Sequence, residues 1–244
     1  MISPNIFYKN GYNNRACIFS QNDIIYIIYG VLSLDLECYD CSTDNKFILF
    51  KKLHKEPFDS CRYFYDKNKF RDLIITSSHD SHVKVINFKL KDSTVILDLD
   101  LEIYKDVIIN TAYFIDNKII VPFAYHYSEG NISFYNLGGL KIKQLKEDPG
   151  FVLCINGYYH ENTETNYAIV SNTESICVYN IDDYSLYYKF SPKIYLKSKI
   201  FSEGHIFKKD EKIILVGPLF SVGYIFLWNF INKDFIVSLN FLMV

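Results

Sequence analysis

Apolar residues in this chain gather in short dense runs between turn-formers, and no stretch keeps the roughly 3.6-residue spacing of an amphipathic helix. The densest runs are Ile24–Tyr29, Leu73–Thr76, Ile119–Val121, Tyr167–Val170 and Ile213–Val216. Each is followed by a pentad of three strand-like residues, one aromatic or large apolar residue, and then Asp or Asn. The pentads are Leu36–Asp40, Val83–Asn87, Ile132–Asn136, Ile176–Asn180 and Ile225–Asn229, and their fourth positions fall at 39, 86, 135, 179 and 228. So even a step is the mark of a repeat, and a repeat decides the fold before any single element does. Turn-formers such as Ser77–Ser81 and Ser171–Glu174 separate run from pentad. A third strand follows each pentad, at Phe47–Leu53, Thr94–Leu99, Leu140–Leu145, Ser185–Phe190 and Phe235–Leu242. A weaker strand precedes each run, as at Cys61–Tyr65 and Thr111–Ile115.

Four short strands per unit predict an all-β chain of four-stranded antiparallel sheets. The third strands after each run carry Lys51, Lys52, Lys141, Lys143 and Lys189, as suits an outer edge guarded against pairing. Pro122 falls in a predicted central strand, where its missing N–H is awkward.

Composition agrees with strands. Hydrophobic residues make up 49% of the 244 and aromatics 17%, with 21 Tyr and 20 Phe, types that favour half-buried pleated surfaces. The net charge of −2 comes from 26 cationic and 28 anionic side chains that are interspersed, which disfavours nucleic acid and anionic membrane as partners. No run approaches the ~18 apolar residues of a spanning helix, and Met1–Asn10 lacks the pattern of a signal peptide. The six cysteines follow no framework spacing, so the expected setting is reducing: cytoplasmic or nuclear, not secreted.

The pentad with its terminal Asp or Asn resembles the Trp-Asp signature of the WD40 repeats, most closely at Leu227-Trp228-Asn229. The second unit adds His54, Ser77-Ser78 and Asp80, which match the family's structural histidine, hydroxyl and aspartate; Ile86 stands where the Trp would end their hydrogen-bond chain. The resemblance implies a β-propeller of five WD40-like blades forming one array over 1–244, with blades at about 12–53, 54–100, 108–147, 150–191 and 200–243. Family propellers usually have more blades, so the array is expected to be incomplete or open. Its apolar end blades would then favour self-association.

Sharper chemical readings are weaker. Cys38-x-x-Cys41 lacks the second pair of a structural zinc site and reads as core thiol. His54 and Asp80 fit structural roles, with no nucleophile elbow beside them. Gly204-His205 falls inside a first strand, and no phosphate-cradling loop is present. No catalytic residue, metal or cofactor is therefore assigned. The expected function is a non-catalytic scaffold that binds another protein. Its contacts are expected from His79, Tyr125, Tyr127, Glu129, Phe151 and Phe220, in loops that the resemblance places on the top face, while His54, Ser78, Asp80 and Trp228 are structural. The alternatives are a hydrolase on a propeller scaffold, or the substrate receptor of a ubiquitin ligase.

Overall fold

The computed structural model describes residues 16–21, 23–89, 94–104, 107, 109–125, 129–147, 152–173, 175–191, 204–209, 212–219 and 223–240. Among them the chain is all-β, with twenty strands in five four-stranded sheets. The first sheet holds β1 (Ala16–Gln21), β2 (Ile24–Gly30), β3 (Leu36–Asp40) and β4 (Asn45–Phe50), and the second β5 (Phe58–Asp66), β6 (Arg71–Ser78), β7 (His82–Lys89) and β8 (Thr94–Glu102). The third holds β9 (Tyr113–Ile115), β10 (Lys118–Tyr125), β11 (Glu129–Asn136) and β12 (Lys141–Glu147). The fourth holds β13 (Val152–His160), β14 (Thr165–Asn172), β15 (Ile176–Asn180) and β16 (Leu186–Phe190); the fifth holds β17 (His205–Lys209), β18 (Lys212–Leu219), β19 (Tyr224–Asn229) and β20 (Phe235–Asn240). In each sheet the strands lie in sequence order, so every connection is a simple hairpin. Each apolar run became the second strand and each pentad the third. No helix long and apolar enough to cross a membrane occurs among the described residues.

The pentad's last residue has a local task. Asp40, Asn136, Asn180 and Asn229 each accept a backbone N–H two to four residues downstream, from Ser42, Gly138, Asp182 and Asn232 among others. That side-chain bond fixes the turn into the fourth strand. Asn87 departs from the pattern: β7 runs on to Lys89, and the Asn87 Oδ1 is buried without a hydrogen-bond partner. The pairing of third with fourth strand also shifts register at Val85/Ile86, Val178/Tyr179 and Leu227/Trp228, all at the step before the pentad's fourth residue. In the first sheet the shift lies earlier, at Leu36/Glu37. β10 runs through Pro122 without a break, and β9, which pairs with Lys118, Ile119 and Ile120, asks no N–H of it.

The chain divides into two compact units, Met1–Val121 with Ser133–Lys143, and Pro122–Ile132 with Gln144–Val244. In the first unit, one core joins Phe19, Tyr26, Ile28, Leu36 and Cys38 of the first sheet to Phe58, Cys61, Ile74, Ile86 and Phe88 of the second. In the second unit, Tyr167, Ile169, Ile176, Val178 and Phe190 of the fourth sheet pack with Ile213, Leu215, Phe226 and Trp228 of the fifth. Burial of these side chains, each contributing about 1.5–3 kcal/mol, lies between consecutive sheets rather than within one. Second strands are therefore buried on both faces over most of their length, whereas β4 is largely exposed.

A buried hydroxyl also ties each of two sheets to the segment that opens the next, on the first strand in one and on the second strand in the other. Ser77 and Ser60 hydroxyls meet at 2.7 Å, and Ser60 Oγ accepts the N–H of Ala112, just before β9. Ser171, at the matching place on β14, accepts the N–H of Gly204, just before β17, at 2.9 Å. Both are buried bonds, so they hold orphan backbone donors that no strand ladder could satisfy.

Candidate functional site

A dense polar cluster lies at one end of the second sheet, where the loop 51–57 leads into β5 and the turn 79–81 joins β6 to β7. Asp80 is its centre. The carboxylate accepts His54 Nδ1 at 3.1 Å, the Lys55 N–H at 2.8 Å and the His82 N–H at 3.1 Å. Ser78 Oγ accepts the Asp80 N–H and donates to the carbonyl of Glu56, while the His79 N–H donates to the carbonyl of Pro57. Ser81, held at φ 66°, donates its hydroxyl to the carbonyl of Val107 and accepts the N–H of Ile103. Two loops and the strand β7 are thereby pinned to one carboxylate and two hydroxyls.

Electrostatics match this geometry. Burial by itself would raise the Asp80 carboxyl, but the bonds from His54, Lys55 and His82 outweigh it and hold it well below the usual carboxylate range. Burial also lowers His54, and the pull of Asp80 does not overcome it. The pair is therefore a neutral imidazole beside a carboxylate, with Nδ1–H donated to Asp80. Nε2 then accepts the hydroxyl of Thr76 at 2.9 Å.

The hydroxyl in this chain is thus Thr76, not Ser78 as the sequence led us to expect. Both point to one face of β6, since they are two residues apart, and only the tertiary structure brings His54 above Thr76. Ile86, fully buried and opposite Ile74, occupies the place where the pattern would close.

The His54 side chain has no solvent exposure, and both of its ring nitrogens are engaged, by Asp80 and by Thr76. His79 is the opposite case: its side chain is 57% exposed, and its Nε2 lies 2.8 Å from Asp59. Beside it, His82 and Lys84 share the Asp100 carboxylate at 2.7 and 3.0 Å. Asp59, Thr76 and Asp100 were not singled out from sequence; no motif marks them, because each acts on a residue from another strand or loop.

Of the other expected contact residues, Tyr125 ends β10 and Glu129 begins β11, and their side chains lie outside the described residues, as do Tyr127, Phe151 and Phe220 altogether. Trp228 is buried among Phe190, Phe226 and Phe235. The two thiols of Cys38-x-x-Cys41 belong to different clusters: Cys38 to the core between the first two sheets, Cys41 to the opposite side with Ile27, Tyr29 and Val31. They cannot share an ion, and burial pushes the Cys38 thiol up to about 12. Among the described residues, no three His, Cys, Asp or Glu side chains are placed to hold a metal.

No protein-family model matches this sequence, and no curated protein matches it.

Proposed function

We propose that the chain is a WD40-like propeller array, and that it serves as a non-catalytic platform on which another protein docks at the His79 end of the second sheet. The fold reading is supported by consecutive sheets that share a core and by buried serine hydroxyls that capture the next sheet's entering backbone. It is also supported by the His54–Asp80–Thr76 bonds, which stand where the repeat family keeps its own. One observation carries the functional reading: a buried carboxylate rigidifies two loops and leaves the His79–Asp59 pair at the surface. A rim held in place before binding loses little further entropy on docking, which is what an interaction platform requires. The hydrolase reading is weaker, since its best acid–base candidates are sealed from solvent.

The test is site-specific photo-crosslinking. Benzoylphenylalanine is placed at His79, and in a second protein at Phe70, an exposed residue in the turn at the other end of β6. Both proteins are irradiated in extract of the native source after circular dichroism has verified their fold. A single adduct in near-stoichiometric yield from position 79, with none from position 70, supports the platform. Equal labelling from both positions, or none from either, overturns it.

A further inference from the structure

Cys17 of β1 and Cys61 of β5 face each other across the first and second sheets with their sulfurs 3.7 Å apart. These are the first strands of consecutive sheets and lie 44 residues apart in sequence. We infer that Cys17 and Cys61 form a reversible disulfide site, which closes on reaction with small-molecule disulfides and fastens β1 to β5.

The geometry favours this pair over any other thiol nearby. Cys17 and Cys38 both pair with Ile28, one from each side, so they sit two strands apart. That spacing is about 9–10 Å between Cα atoms, beyond the ~7 Å a disulfide can span. Cys38 and Cys41 pack in separate clusters. Cys61 instead needs its sulfur to move only about 1.7 Å toward Cys17 to reach bonding length. Among the described residues β1 lies at the edge of its sheet, paired with β2, and its Ile18 is 66% exposed, so the small movement falls to β1.

Access sets the order of events. Cys17 is partly exposed while Cys61 is buried, so the external disulfide meets Cys17. The hydrogen bond with the Cys17 sulfur, and then burial, hold the Cys61 thiol in its protonated form, which keeps it unreactive until Cys17 carries a leaving group. The Cys17 thiolate attacks one sulfur of RSSR, forming a mixed disulfide and releasing RS⁻. Cys61 then gives up its proton to RS⁻ or solvent and attacks the Cys17 sulfur, releasing the second RS⁻. Overall two protein thiols are oxidised, one RSSR is reduced, and two RSH leave.

The experiment uses the reduced full chain and oxidised glutathione as the probe. Alkylation counting, peptide mapping and thermal unfolding are read before and after treatment. The expected result is a fall of two from the six free thiols and a linked peptide pair containing Cys17 and Cys61. The melting temperature should rise by on the order of 5 °C, reversibly with dithiothreitol. Cys38→Ser forms the bond like the unaltered chain, and Cys17→Ser does not. A glutathione adduct that persists on Cys17 with Cys61 still alkylatable, a bond that includes Cys38, or six thiols unchanged would each overturn the inference. The mapping on the unaltered chain decides the matter without relying on any variant.

Discussion

Asn180 presents its side-chain oxygen to the backbone N–H of Asp182 at 2.8 Å, and this short bond explains a letter that recurs along the chain. Asp40, Asn136 and Asn229 do the same for their own turns, whereas Asn87 keeps a buried oxygen with no partner. Asn180→Ala is expected to cost about 1 kcal/mol of stability. Asn87→Ala should cost clearly less, because it also removes an unsatisfied acceptor. Urea unfolding of both variants checks the contrast, and equal losses would count against the turn-fixing role.

Ser171→Ala leaves the buried Gly204 N–H without its acceptor and should lower stability by about 1–3 kcal/mol. Hydrogen exchange should localise the loosening to the entry of β17. A variant whose β17 amides stay as protected as in the parent would show that the bond is dispensable.

Acid should weaken this protein in two stages. Folding depresses His54 below its ordinary 6.5, so the unfolded chain binds more protons as pH falls through that value, and stability declines from there. Asp80 is likewise depressed below 3.8, so its contribution is complete above that pH and is lost as pH drops further toward its folded value. Urea midpoints at pH 7, 5 and 3.5 should decrease in that order. His54→Gln should flatten the first step and Asp80→Asn the second, each against a lower baseline.

Gly217 is confined by its neighbours. A Cβ placed there would stand 2.5 Å from Ile176 Cδ1 and 2.7 Å from the Trp228 ring. Gly217→Ala should therefore cost about 1–3 kcal/mol through overpacking. Ile176→Val removes the nearer of the two atoms, so the double variant should lose less than the two single losses combined. Simple additivity in thermal unfolding would contradict the contact.

His79→Ala should lower stability by no more than about 1 kcal/mol, since the imidazole itself is exposed and only its Asp59 partner is largely buried. Any effect on partner capture then reports on docking alone.

Much of the architecture is visible along the chain. The Tyr167–Val170 run and the Ile176–Asn180 pentad became β14 and β15 because a strand buried on both faces needs consecutive apolar residues, and because Asn180 closes its own turn. Those determinants act within a few residues and leave a mark at every repeat. The candidate site is less visible. His54 and Asp80 were marked by the resemblance to the repeat family, but Thr76 and Ser78 share one strand face, and nothing local says which of them meets the imidazole.

Along the chain itself are written five units of four strands, the order of the strands, and which ones carry the dense apolar runs. Burial periodicity and turn chemistry are local, and a chain cannot hide them. Tertiary structure alone decided that Cys17 meets Cys61, that Ser171 receives Gly204 and that Asp59 supports His79. Each of those contacts joins segments that no shared periodicity relates. Their distances depend on how one sheet seats on the next, and that is set by the summed packing of a whole core rather than by any residue's own preference.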